Sequence, residues 1–535
     1  MAWTLRLRKA ATSPKGEWPS LPGVFVADTV ARCREALVII EKQEIVGVDV
    51  ESYGCRPKDE SPVGIAKLMS MQFCGDRGPR IFVPGWSGVG RDVNHTGRED
   101  CIQVFKPWLE RQERQKVLHN GKFDKHVLAN HGIVMNGLLG DTLVMDYLYA
   151  NGEMFHGLKE CLRRYSHRFG LEVAPYGVDD FVDYGDEFRR HKIGKKGQEL
   201  KTTYIPDLRE VVSTIEGVHK LVKYAVKDPL GTVRLYQFLK GRLQRTPWTK
   251  AGTYFDYYEQ FEVDYQNCLW DVEREGCPVD VPYLEDILVR IRKDAAQVEK
   301  DFMKACVVEG IPAAYLEKFN MLSNPQIADL LYKRLGCRVA SVTAKGGKPS
   351  TDEDALLGIR GRAKPIAALL LKRRKLDKLD GTYISNWIEC ARRYKGRIHT
   401  TLKQTGTATM RLSSAAPNLQ NVVKPGEKDP YELRMAFIAP IDSGLKVADI
   451  DLSQIEVRLT AHFTGDQALI DMLNNGYDQH LLTQSKIFED TKDIVQGRPC
   501  TKELAKEVKA ALGEQHYEDE RRASKVVNFG VIYGM

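Results

Sequence analysis

Val447–Asp466, VADIDLSQIEVRLTAHFTGD, is the stretch from which the rest of the chain is ordered. It opens by alternating apolar and acidic residues: Ala448, Asp449, Ile450, Asp451, Leu452. Side chains on a strand repeat every second residue, so this predicts a short strand with both aspartates on one face. Ser453 and Glu456 have the spacing of a capping box, and Ile455, Leu459 and His462/Phe463 recur at helical spacing, so a helix is predicted to start there. A carboxylate at a strand end just before a helix is well placed to hold a divalent metal in a cleft. An isolated aspartate at such a corner is more often only a surface group.

Two further strings bear on the same question. The last residues, RRASKVVNFGVIYGM, space Arg521, Lys525, Phe529 and Tyr533 by four. Each step of four turns a helix by about 400°, so the stripe stays on one broad face. Cations at one end and aromatics at the other suit a nucleoside triphosphate, with phosphates on Arg521 and Lys525 and base and sugar against Phe529 and Tyr533. The plainer reading is an amphipathic helix with core aromatics. Upstream, QTGTATMRLSSAAPNLQNV, with Arg411, Asn418, Gln420 and Asn421, reads on its own as a polar loop. Such groups are able to reach a minor groove, where the acceptors are shared by all correct base pairs, so contacts there would check shape rather than sequence.

These strings resemble the family A DNA polymerases (the DNA polymerase I family). DLSQIEVRL is similar to motif A, a strand-to-helix corner of the palm; TATMRLSSAAPNLQN is similar to the palm segment near the primer terminus; the final helix resembles motif B of the fingers. The resemblance implies that Asp451 binds the catalytic metals and that Glu456 crowds the sugar 2′ position, excluding ribonucleotides. Asp449 is then a local polar group. It makes Lys525 a catalytic as well as a phosphate-binding residue, and it places His480, in GYDQHLLTQSKIF, near the incoming triphosphate. Phe529 at its position implies discrimination against nucleotides lacking the 3′-hydroxyl.

The N-terminal third carries a second constellation. EIVGVDVES reads as a strand with Asp49 and Glu51 two apart, pointing the same way from a buried core. Adjacent carboxylates repel unless a cation sits between them. Lys67–Gln72 and Arg80–Val83 read as two more strands of an antiparallel start to a sheet. In VLHNGKFDKHVL, Asn120 and Asp124 stand at i, i+4 on a predicted helix, and in YAVKDPLGTVRLY so do Tyr224 and Asp228, opening another. In this order and spacing the three segments resemble the exonuclease motifs of the 3′–5′ proofreading domain of the same family. Asp49, Glu51, Asp124 and Asp228 would be the carboxylates that hold two metal ions about 4 Å apart, and Tyr224 would orient or help activate the attacking water. By the resemblance, Asn120 and Phe123 lie near the single-stranded 3′ end, where Phe123 can stack on a base. His119 and His126 are read as structural or solvated. Val178–Tyr204, acidic and then basic, is read as an insertion loop.

The bulk numbers permit this. A chain of 535 residues holds two to four domains, and 43% hydrophobic with 28% charged residues is an ordinary globular composition. A net charge of +7 allows a nucleic-acid partner without requiring one. The eleven cysteines form no CxxC pair, there is no secretory h-region, and no apolar run approaches membrane-spanning length, so a cytoplasmic location is expected, that of the host cell if the chain is phage-encoded.

The expected fold is α/β multidomain: an RNase H-like 3′–5′ exonuclease domain (1–250), then a right-hand polymerase with thumb (251–395), partial palm (396–465) and partial fingers (466–535). LWDVEREGCPVD would open the polymerase part, with Gly276 ending a helix; Ser350 or Thr351 would cap a later one. Lys372–Lys378, KRRKLDK, is placed to meet duplex phosphates. The family's motif C, with its second metal-binding aspartate, has no counterpart here. The expectation is therefore the N-terminal part of a split polymerase that needs a C-terminal fragment. Its implied cofactors are two Mg2+ ions per active site, with Mn2+ as substitute. Its implied partners are primer–template DNA, a single-stranded 3′ end, dNTPs and a processivity factor, with no membrane. The competing readings are a stand-alone 3′–5′ exonuclease and a non-catalytic primer–template-binding subunit.

Overall fold

A computed structural model describes residues 18–55, 60–86, 98–113, 115–193, 198–343, 346–422, 430–441 and 443–532. The mixed α/β chain divides into one unit ending at Leu445 and another beginning at Lys446.

The first unit begins with a six-stranded sheet of β1 (Val24–Val26), β2 (Val46–Tyr53), β3 (Lys67–Gly75), β4 (Arg80–Pro84), β5 (Lys116–Leu118) and β6 (Leu138–Asp141), in the order β1-β4-β3-β2-β5-β6. β2, β3 and β4 form the antiparallel meander expected from the sequence, and β1, β5 and β6 add in parallel at its edges. Strand alternation sends Val46, Val48 and Val50 of β2 into the core and turns Gly47, Asp49 and Glu51 to the other face. The helix Asp228–Leu243 packs on that face. Its approach is very close: a Cβ on Gly47 would lie 2.3 Å from the Pro229 carbonyl oxygen. Glycine at 47 is what lets the start of this helix reach the acidic strand.

Val178–Tyr204 is not the simple loop expected. Among its described residues are a short helix, Tyr184–Phe188, and a hairpin pairing Arg190–Ile193 with Glu199–Tyr204. Aromatic anchors explain the order: Phe181 is fully buried, and the rings of Tyr184 and Phe188 pack on Tyr224.

Beyond the sheet, Val263–Glu275 ends at Gly276 in the left-handed region (φ +67), as the sequence indicated. The 28-residue helix Val281–Val308 then packs against Lys364–Lys378 and Ser385–Arg393 around Phe302, Leu370 and Trp387. Asp352, rather than Ser350 or Thr351, caps Glu353–Leu357 by accepting from the Ala355 N–H at 2.8 Å. Ser350 instead donates to the Asp352 carboxylate at 2.7 Å, so the serine orients the cap.

A buried seam joins these parts. Glu273 accepts from His126 Nε2 at 2.7 Å, from Lys122 Nζ and from the Leu402 N–H, both at 2.5 Å. Burial opposes charge on this carboxyl, but the His126 hydrogen bond and the Lys122 ammonium together hold it below the usual range.

The second unit is helical over Ile455–Thr464, Gln467–Asn474, Gln479–Ile487, Glu489–Val495, Lys502–Leu512 and Glu514–Ile532. Leu481, Val495, Leu504, Val508 and Tyr517 form its core. The strand expected at 447–452 is not formed. The unit has no strand among its described residues to pair with it, and Val447, Ile450 and Leu452 are 67%, 88% and 68% exposed. The expected capping box is absent too. The helix starts at Ile455 with Gln454 as its N-cap at φ +53, so Ser453 lies one residue too early to bond into the first turn.

Candidate active sites

In the first unit, three elements bring acids to one place and a fourth brings Tyr224. β2 supplies Asp49 and Glu51. Asp124 comes from the helix Gly121–Ala129, docked on the strand by a bond from the Val50 N–H to its carboxylate at 3.0 Å. Asn120, expected within that helix, is instead its N-cap, in the left-handed region at φ +65. Its N–H and that of Gly121 both donate to the buried Asp141, at 2.9 and 2.7 Å, which fixes the turn. Asp228 opens Asp228–Leu243, whereas Tyr224 sits near the end of the preceding helix, Ile215–Ala225. The single helix expected across both is therefore broken, with Pro229 in the first turn of the new one.

The electrostatics report the crowding. Burial pushes Asp49 up to about 7, and the Asp228 charge pushes the same way, while Lys159 opposes it. Glu51 is held well above its ordinary value by burial and then by Asp49 and Asp228, and Asp124 by burial and then by Asp49. Hard oxygen donors that repel one another in a buried pocket fit a divalent cation. Burial and the three acids Asp228, Glu51 and Asp49 raise the Tyr224 phenol far out of reach. It therefore stays a neutral hydroxyl, a hydrogen-bond donor rather than a phenolate base.

Several neighbours carry no sequence signal of their own. Lys159 pairs with Asp228, with its ammonium 5.3 Å from the Tyr224 ring centre. Gln72, opposite Asp49 in the ladder, donates to that carboxylate at 3.2 Å in the amide orientation that satisfies both its ends. His119 bonds Thr142 at 2.9 Å, and burial lowers it to about 4, so it stays neutral. A cavity of about 690 Å³ opens beside Asn120 and Phe123 and is closed on the other side by residues 401–406.

In the second unit, Arg521 donates to Asp478 at 2.7 Å, and Asp478 also caps Gln479–Ile487 through the N–H groups of His480 and Leu481. His480 Nδ1 lies 2.9 Å from the Asn528 amide. Burial, then the nearby Arg521 charge, with Lys525 adding to it, lowers the His480 imidazole. His480, Arg521 and Lys525 are thus brought together. Phe529 lies within Glu514–Ile532, and Tyr533 lies outside the described residues. Asp451 is exposed and Glu456 half-buried.

Residues 283–535 match the family model described as DNA polymerase family A, and residues 25–174 match the model described as 3′-5′ exonuclease. The chain carries a 3′-5′ exonuclease domain followed by a DNA polymerase family A domain. Among curated relatives, it is 30% identical over 441 residues to DNA polymerase I of Chloroflexus aurantiacus, covering 82% of this chain and 40% of that protein. It is 28% identical over 502 residues to DNA polymerase I of Pseudomonas aeruginosa, covering 93% and 47%. The chain therefore spans less than half the length of these two relatives. The POL domain of Pol1 from M. smegmatis, solved in complex with DNA primer-template and dNTP, shares the fold with a TM-score of 0.61 at 22% identity, covering 95% of this chain and 71% of that one. Polymerases and exonucleases of this family are generally dependent on divalent metals.

The segment expected to be palm forms a hairpin of Thr401–Lys403 with Ser413–Ala415, leaving Arg411, Asn418, Gln420 and Asn421 exposed. In the basic cluster at 372–378, Arg373 is committed to Glu299 and Arg374 to Asn324, whereas Lys372, Lys375 and Lys378 are exposed at steps of three. Among the described residues, no helix is long and apolar enough to cross a membrane.

Proposed function

We propose that this chain hydrolyses the 3′ end of single-stranded DNA at the Asp49–Glu51–Asp124–Asp228 pocket, and that it contributes the nucleotide-binding part of a DNA polymerase. The mutual crowding of the four acids, Asp124 and Asp228 buried and Asp49 and Glu51 half-buried, carries the first reading. Two Mg2+ ions, held by Asp49, Glu51, Asp124 and Asp228, would supply Lewis acidity and a water of lowered pKa. Tyr224 orients that water as a neutral donor. Asn120 and Phe123 hold the terminal nucleotides along the adjoining cavity, and Phe123 stacks on a base.

For polymerisation, Arg521 and Lys525 take the triphosphate, His480 lies beside it, and Phe529 and Tyr533 face base and sugar. Asp451 is the metal ligand, Glu456 excludes the 2′-hydroxyl, and Arg411, Asn418, Gln420 and Asn421 read the primer minor groove. The palm is completed by residues outside this sequence that bring a second metal-binding aspartate. The unpaired, apolar 447–452 stretch beside Asp451 favours this. The remaining partners in this reading are primer–template DNA, dNTPs and a processivity factor, in a cytoplasmic setting.

The deciding experiment is Mg2+-dependent digestion of a 3′-labelled single strand. The wild-type chain is expected to digest it, and Asp49→Ala with Glu51→Ala is expected to lose about 10³-fold or more. Equal digestion by the variant overturns the assignment.

A further inference from the structure

The acidic pocket contains one feature that hydrolysis does not call for. Lys159, at the start of the helix Leu158–Phe169, is buried among the acids with its side chain 8% exposed. Its ammonium pairs with Asp228, lies over the Tyr224 ring at 5.3 Å, and lowers the burden of negative charge on both Asp49 and Glu51. A buried lysine loses hydration that only nearby anions restore. The other lysine beside Asp228, Lys227, is turned to the Asp180 carbonyl instead.

We propose that Lys159 is the resident cation of the exonuclease pocket: it holds the acids together in the metal-free enzyme and competes with the first divalent ion for them. The inference rests on reading the pocket as a metal site. Charge counting gives it content. With all four carboxylates ionised, as metal ligation requires, they and one ammonium sum to three negative charges. Two divalent ions turn that into one positive charge, which the single negative charge of a phosphodiester cancels. Lysine at 159 thus weakens ion loading in the empty enzyme and leaves the loaded pocket one charge short of neutral until DNA arrives. Lys159 is a positioning residue in this account.

The test uses the full chain and Mn2+, with free ion followed by electron paramagnetic resonance and unfolding followed by thermal melting. Lys159→Met and Lys159→Gln both remove the charge, and Gln keeps a hydrogen-bond donor for Asp228 so that one folded variant is in hand. Both are expected to melt below wild type in EDTA, to recover wild-type melting when saturated with Mn2+, and to bind Mn2+ at least tenfold more tightly. Lys159→Arg, which keeps the charge, is expected to match wild type in EDTA. A lysine that only fills space would lower melting equally with and without Mn2+ and leave affinity unchanged or weaker; that result overturns the proposal. If wild type itself binds no Mn2+, or if Asp49→Ala with Glu51→Ala binds it as well as wild type, the metal reading fails first.

Discussion

Two aspartates in this chain begin from the same local pattern and end in opposite surroundings. Asp49 and Asp451 each stand two residues from another acid in a run that alternates with apolar side chains. Around Asp49 the alternation is realised, because β3 and β5 flank β2, and the Asp228–Leu243 helix covers its acidic face. Around Asp451 no strand forms, and the apolar members of the pattern are exposed. Alternation writes a preference for one face, but only neighbouring strands convert it into a buried site.

The largest effect that could break this contrast is the completion of the second site. On the proposed reading, a polypeptide carrying further palm strands and a second metal-binding aspartate, added to this chain, is expected to raise template-directed primer extension above that of the chain alone. Failure to associate or extend would mean that the exposed stretch has another use. A smaller effect comes from the outer side of the first site. Glu273→Ala leaves Lys122 and His126 buried without their carboxylate and is expected to cost about 3–5 kcal/mol in urea unfolding.

Smaller again is the charge contrast itself. Asp49→Asn relieves repulsion in the buried pocket and is expected to stabilise the metal-free chain by about 1–3 kcal/mol. Asp451→Asn, in water, is expected to change stability by less than about 0.5 kcal/mol. Equal effects would erase the distinction. The pH dependence sharpens the same point. An ordinary aspartate titrates near 3.8, but Asp49 in the fold does so at about 7. Between those values the folded chain binds the extra proton, so metal-free stability should fall as pH rises through that window and level off above it. Urea midpoints in EDTA at pH 5 and pH 8 check the sign. The slightest effect is expected at the thumb: replacing Lys372, Lys375 and Lys378 by alanine should lower the log–log salt slope of duplex binding by about 0.9 for each phosphate no longer neutralised.

What could be read from sequence followed local rules. The β2–β3–β4 meander, the Gly276 stop and the acids themselves were legible because strand alternation, left-handed glycine and ligand chemistry act over a few residues. The break between Tyr224 and Asp228 had a visible cause in Pro229, whose ring favours a first turn, yet the four-residue spacing suggested one helix. Lys159, Gln72 and Gly47 were not legible, since each matters only through what another segment places against it. The 447–452 strand was misread for the same reason in reverse: its pattern was correct for a sheet that the described chain does not contain.

The Glu273 seam sets a limit on how the molecule can work. One carboxylate grips the helix that carries Asp124 and the backbone of Leu402 at once, so neither can slide past the other without stranding charge in a dry interior. The acidic pocket and the hairpin of Thr401–Lys403 with Ser413–Ala415 are in effect a single casting. A ligand that reaches from one to the other must cross a stationary floor.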